Sequence, residues 1–198
     1  RVPSSFFSWN PKEDYFGGYN HGQKAGTAWV GNHHICPGMK FWADGNNPDG
    51  RKISRTLTDH DGQNIEIMAG MYTDNQPDYS WLQPYESKSG TMIWFPIREL
   101  DGLKYANRNG ALNLTVTNDN IALVRMNATT VFKQAKVLLK GKEQILFEKS
   151  INISPAEPFK TDVSLPGGMV EDDLEVALYD ARGGILLLYK PAEHHPPE

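Results

Sequence analysis

Between residues 111 and 189 apolar and polar positions alternate with a period of two, the pattern of strands with one buried face. Ala111-Leu-Asn-Leu-Thr-Val-Thr117 is such a run; Asn118-Asp119-Asn120 turns the chain, and Ile121-Ala-Leu-Val-Arg-Met126 returns as the second arm of a hairpin. Further runs lie at 135–139, 144–149, 159–163, 174–179 and 185–189. Gly141, the Pro155–Pro158 stretch, Pro166-Gly167-Gly168 and Gly183-Gly184 punctuate them. Seven short strands in roughly ninety residues predict an immunoglobulin-like sandwich. With no Cys pair and no Trp in this region, a fibronectin-III-like accessory module fits better than an antibody-type domain. It holds no cluster of catalytic residue types, so its expected role is packing or spacing.

The earlier residues are also rich in strand patterns but less regular. Candidate strands lie at 27–32, 52–58, 64–72 and 90–98, separated by long polar loops with Gly and Pro. Helical signals are weak, and no repeat recurs at a fixed period. About a hundred residues of this kind close on themselves with difficulty, and exposed strand edges need a partner. The pattern therefore predicts an incomplete domain, completed by a missing first half or by a second copy.

Composition sharpens this division. All five Trp (Trp9, Trp29, Trp42, Trp81, Trp94) and six of the eight Tyr precede residue 108. Asn107-Arg108-Asn109-Gly110 reads as a turn-rich hinge between the two regimes. The expected organisation is residues 1–108, then a sandwich over 109–191, then a flexible tail over 192–198. His194-His195 falls in that Pro- and Glu-rich tail and reads as frayed chain, not a metal site. The net charge of −4, with no basic block, argues against nucleic acid as partner. No run of about 18 apolar residues exists, so no membrane-spanning helix is expected. Cys36 is alone and forms no disulfide within the chain; it reads as a small buried hydrophobe, with a reactive or ligating thiol as the alternative. A start at Arg1-Val-Pro-Ser-Ser5 suggests a processed product or part of something longer.

Three segments are candidates for chemistry. Gly17-Gly-Tyr-Asn-His-Gly22 allows a tight backbone that presents Tyr19 and His21, or is simply a turn between strands. It is not a phosphate loop, lacking a Lys-Ser/Thr pair and a following helix. Asn32-His-His-Ile-Cys-Pro-Gly38 places His33 and His34 together; on a strand their rings would face opposite sides, so one at most would enter a given pocket. Either a His hydrogen-bonds a ligand or both are structural. Zinc is disfavoured, because no CxxC or HxxxH supplies the remaining ligands.

The third segment, Glu66 to Glu86, is the richest. On a strand Ile65 and Ile67 share one face, with Asn64, Glu66 and Met68 on the other. A Glu among apolar neighbours tends toward a raised pKa, as a general acid requires. Asp74, Gln76 and Asp78 follow, next to Trp81 and Tyr85. Carboxylates and amides beside flat aromatic faces suit a sugar, whose hydroxyls take hydrogen bonds while its C–H face packs on a ring. The competing reading is turn capping by Asp and Asn and core filling by Trp.

Several of these stretches resemble one family. They are Phe16-Gly-Gly-Tyr-Asn-His21, Ala28-Trp-Val-Gly-Asn-His-His-Ile-Cys-Pro-Gly-Met-Lys40, Leu57-Thr-Asp-His-Asp-Gly62 and the run from Ile65 to Glu86. The resemblance covers roughly residues 13 to 100 and is to a bacterial domain-of-unknown-function family. Its members are often fused to tetratricopeptide repeats and are similar in fold to galactose mutarotase, a β-supersandwich. The implied fold class is all-β: a partial mutarotase-like supersandwich, its C-terminal portion over 1–108, followed by the immunoglobulin/fibronectin-III-like sandwich. The resemblance implies a sugar-facing groove lined by His33 or His34, Glu66, Asp74 and Gln76, but brings no established reaction; no cofactor and no metal is expected. Members carry a long stretch before the Gly-Gly-Tyr motif; here about twelve residues precede the match. Trp42-Ala-Asp-Gly45 replaces a more aromatic loop. A bacterial periplasm or cell surface is the compartment this family suggests.

The functional expectation is carbohydrate recognition, with possible general acid/base chemistry at an anomeric centre of the mutarotase or glycosidase type. Glu66, His33 and Asp74 are the catalytic candidates. Tyr19, His21, His34, Trp42, Gln76, Asp78, Trp81 and Tyr85 are the ligand-binding candidates. For hydrolysis Glu66 would pair with Asp74 or Asp78, about 5–5.5 Å apart for retention and about 6.5–9.5 Å for inversion. The alternative is a non-catalytic glycan-binding or scaffold module of a larger protein.

Overall fold

The structure is a computed structural model of the chain and describes residues 1–59, 61–74, 78–142 and 144–191. In order it contains β1 (Ser4–Phe7), β2 (Tyr15–Asn20), β3 (Ala25–Gly31), β4 (Lys40–Ala43), α1 (Pro48–Thr58), β5 (Ile65–Met68), β6 (Met92–Arg98), β7 (Tyr105–Asn107), β8 (Gly110–Val116), β9 (Ile121–Ala128), β10 (Phe132–Gly141), β11 (Gln144–Ile153), β12 (Phe159–Ser164), β13 (Leu174–Tyr179) and β14 (Ile185–Tyr189). The fold class is all-β, as the sequence predicts. The chain forms two compact units: residues 1–16 with 31–93, and residues 17–30 with 94–198.

The second unit is built on a β-sandwich. One four-stranded sheet runs β11-β10-β13-β14 and the other β12-β9-β8-β7. Alternation puts Leu112 and Leu114 of β8, Val124 and Met126 of β9, Val137 and Leu139 of β10, and Val176 and Leu178 of β13 into one buried cluster. All seven predicted runs are strands, and β7 adds an eighth. Asn107 pairs with Gly110, so the turn-rich hinge stretch is the tip of the β7–β8 hairpin. The Asn107 and Asn109 side-chain amides donate to the Leu186 carbonyl at 2.8 and 3.1 Å, occupying an acceptor on the edge strand β14.

Three outward residues of β8 and β9, Asn113, Arg125 and Asn127, are polar yet buried, because the end of β6 and the segment after it lie on them. Asn113 donates to the Leu100 carbonyl at 3.0 Å, and the Asn127 amide oxygen accepts from Arg98 N–H at 3.1 Å. Arg125, nearly buried, meets Asp101 at 3.3 Å and Asp162 at 2.8 Å, and donates to the Thr161 carbonyl at 2.8 Å. Hydrogen bonds of this kind are what make polar side chains tolerable under a covering layer. Most of the three-stranded sheet β2-β3-β6 belongs to this unit, and it buries Trp29 and Ile97.

The first unit holds a second three-stranded sheet, β1-β4-β5, and the helix. The candidate strand at 52–58 is instead part of α1. Asn47 caps the helix by accepting from Gly50 N–H at 2.9 Å, Pro48 opens it, and Asp49 sits in its first turn. The β-branched content of 52–58 obscured this, but Ile53 and Leu57 are spaced four apart, which is helical. The candidate strand at 64–72 is shorter than predicted and ends at Met68. Asp44 links the ends of β4 and β5: its carboxylate accepts from Asn64 N–H at 2.8 Å while its own N–H donates to the Asn64 carbonyl at 3.3 Å. This sets the register in which Trp42 lies opposite Glu66.

Candidate functional site

His33 and His34 lie in a turn after β3, not on a strand. The expectation that their rings face opposite sides is therefore corrected: ring centroids are 3.9 Å apart at 41°. The turn is built by side chains that accept backbone N–H groups. Asn32 Oδ1 accepts from His34 N–H at 2.9 Å and Asp14 Oδ1 from His33 N–H at 2.9 Å. The same Asp14 oxygen meets His33 Nδ1 at 2.7 Å. Burial pushes the Asp14 carboxyl up, but the hydrogen bonds from His33 and the charges of His33 and His34 outweigh it and hold its pKa below the usual carboxylate value. An ionised Asp14 can only accept, so in that form the hydrogen of this contact is carried by His33 Nδ1.

The stretch after β5 runs directly beside this turn. Gly38 and Gly70 exchange backbone hydrogen bonds at 3.2 and 2.8 Å, and Tyr72 N–H donates to the Ile35 carbonyl at 2.7 Å. The approach is close enough that a Cβ on Gly38 would lie 2.7 Å from the Thr73 carbonyl and 2.9 Å from that of Asp74. Asp74, half-exposed, is therefore carried on backbone packed against the segment that follows the histidines. Tyr72 has φ +69° and Tyr85 φ +67°, left-handed conformations that bulky residues rarely adopt.

From Asp78 to Tyr85 the chain is exposed. Asp78, Trp81 and Tyr85 project to solvent, with Trp81 70% exposed and Tyr79 against it edge-on at 5.4 Å. Lys88 ties this loop down: its ammonium donates to Ser80 Oγ and the Trp81 carbonyl, both at 2.6 Å, and lies 5.3 Å from the Tyr72 ring centre. Glu86 accepts from Gln83 N–H at 2.7 Å, which closes the turn that presents Tyr85.

Trp42 and Glu66 are cross-strand neighbours on one face of the β1-β4-β5 sheet, both half-exposed. Tyr19 and His21 form a separate edge-on pair, 5.1 Å between centroids, in the second unit. Gln76 lies outside the described residues. Cys36 is fully buried, and burial raises its thiol pKa. Among the described residues no group of three or more His, Cys, Asp or Glu is arranged to hold a metal ion. No helix in the described residues is long and apolar enough to cross a membrane.

Sequence reasoning missed Asp14, Tyr72 and Lys88. Asp14 is 19 residues from His33, with two strands between, so no local spacing marks it. Lys88 sat in view just beyond the Trp81–Glu86 run, but its role depends on the loop folding back over Tyr72.

These features describe an all-β protein in which Asp78, Tyr79, Trp81 and Tyr85 stand exposed together on one loop of its first unit. Residues 5–97 match the model of a family described as a domain of unknown function (DUF5107), and residues 105–189 match that of the second domain of a YphG-like protein. The first match agrees with the resemblance over residues 13 to 100 at the level of an unknown-function family. No solved structure matches the chain.

Proposed function

We propose that the first unit recognises a carbohydrate and that His33 handles a proton at the bound sugar. The observation that carries this reading is the exposure of Trp81 and Tyr85 on a loop that Lys88 ties down to Tyr72. Exposed rings on a constrained loop lose little entropy when a sugar face stacks on them. Carboxylates stand nearby in the chain at Asp74 and Asp78, and the Trp42–Glu66 pair offers a second ring beside an acid. The Asp14–His33 pair supports the proton-transfer part, since a carboxylate that fixes one ring nitrogen orients the other. A galactose-mutarotase-like groove and a reaction at the anomeric carbon are the form this activity would take.

A non-catalytic glycan-binding module is the second reading, favoured by the open setting of Trp81 and Tyr85, which stacking needs and proton transfer does not. Binding to a glycan panel, read by saturation-transfer NMR, tests recognition; Trp81→Ala should lose at least about tenfold in affinity. Anomer interconversion or reducing-sugar release, measured with His33→Ala and Glu66→Gln, tests chemistry. Binding with no turnover selects the module, and absence of binding to any glycan overturns both.

A further inference from the structure

We propose that a charged cleft in the second unit binds a small zwitterion of the free amino acid class. The cleft, about 410 Å³, is lined by Arg125 of β9, Lys160 and Asp162 of β12, Glu99 and Asp101 of the segment after β6, and Lys24 of the turn before β3. Small-molecule sites run from about 300 to 1,000 Å³, so the volume suits a compact ligand. Every lining side chain is charged except that of Thr161. Recognition here rests on charge and hydrogen bonds, with no ring for a sugar face to stack on.

Strand register places Arg125 directly opposite Lys160, two like charges side by side on one face, which destabilises a sheet unless acids offset them. Three acids do so. Lys160 Nζ donates to Glu99 at 2.6 Å. Arg125, only 9% exposed, meets Asp101 through Nε at 3.3 Å and Asp162 through Nη1 at 2.8 Å. Its Nη1 also donates to the Thr161 and Val124 carbonyls at 2.8 and 3.1 Å. The nearly buried guanidinium is thus fixed in place, and among the described residues its Nη2 has no hydrogen-bond partner.

Two charges remain unmatched. Asp101 and Asp162 share one guanidinium, which leaves one negative charge in excess beside it. Lys24 makes no ion pair among the described residues, and its positive charge reaches Glu99 only from a distance. The matching ligand carries one charge of each sign. Its ammonium takes the remaining oxygens of Asp101 and Asp162, and its carboxylate takes Lys24 and Arg125 Nη2. Because the two acids and Nη2 meet at one guanidinium, the ligand's charges must sit close together, as on the α-carbon of an amino acid. A ligand of single charge would leave a like charge facing it at one end. Lys24, Glu99 and Asp101 have φ of +51°, +57° and +58°, left-handed backbone at three of the lining positions, where strain of this kind accompanies held binding groups.

NMR titration of the 198-residue chain with L-alanine, up to about 50 mM, tests it. The expected result is saturable shifts in the backbone amides of Glu99–Gly102 and Lys160–Asp162. N-acetyl-alanine lacks the ammonium and alanine methyl ester lacks the carboxylate, so each should bind at least about tenfold more weakly. Lys24→Gln and Asp162→Asn should each weaken alanine binding at least about tenfold. Trp81→Ala, on the first unit, should leave it unchanged, so failure here and failure of the sugar reading are distinguishable. No shift at the cleft at the highest concentration overturns the proposal. Equal binding of N-acetyl-alanine, which would make the cleft an anion site, overturns it too, as does saturation by sorbitol, which would make it a polyol site. The wild-type titrations decide the matter even if a variant fails to fold.

Discussion

Gly38→Ala should loosen the contact that holds the Tyr72–Asp74 stretch against the histidine turn. The added Cβ would sit 2.7 Å from the Thr73 carbonyl oxygen, 2.9 Å from that of Asp74 and 2.9 Å from Gly70 Cα. All three are backbone atoms, so no side chain can rotate away. Relief requires the two segments to separate, which threatens the hydrogen bonds exchanged by Gly38 and Gly70 and the one from Tyr72 to Ile35. Overpacking costs about 1–3 kcal/mol, and each weakened hydrogen bond about 1 kcal/mol. Reduced chain entropy in the unfolded state returns about 0.4–1 kcal/mol. The net local loss is then about 2–4 kcal/mol, or roughly 30- to 1,000-fold in amide protection. Hydrogen exchange followed by mass spectrometry would read it in peptides spanning 35–40 and 68–74, with the sandwich peptides unchanged. Gly167→Ala is the control, since its Cβ would meet nothing within 4 Å. Protection within about twofold of wild type in Gly38→Ala would refute the close packing from which the argument starts.

Other outcomes follow from the same structure. Leu139→Ala, at a fully buried position between the two sheets, should cost the second unit about 2–5 kcal/mol in denaturant unfolding. The Asp14 pKa is depressed on folding, so its pairing with His33 stabilises above the ordinary value of 3.8 and is lost as pH falls through the lower folded value. Asp14→Asn should therefore remove one component of the acid sensitivity below about pH 4, read by NMR titration of the His33 ring. Cys36 should resist alkylation in the native protein and react only when its surroundings open, so its labelling rate should track denaturant concentration.

Much of the second unit was legible along the chain. Each of its strands has one face toward a core made by its neighbours, so the period of two reports burial directly. Even there, the polar outward residues Asn113, Arg125 and Asn127 gave no sign that they lie under another segment. The first unit was harder to read because its sheet is short and carries apolar and polar side chains on both faces, and its longest regular element is a helix with few apolar positions. Its candidate site was legible as residue types, with Trp81, Tyr85, Asp78 and the two histidines all marked by their chemistry.

What the amino-acid order determined by itself was the all-β class, the strand positions after residue 108 and the concentration of Trp and Tyr before it. These depend on local periodicity and composition. Tertiary structure decided that His33 is held by Asp14, that Trp42 faces Glu66 across two strands, and that Lys88 pins the Trp81 loop over Tyr72. Each of these joins residues that are distant in the chain or on separate elements. Chain closure and strand register, to which no local pattern refers, bring them together.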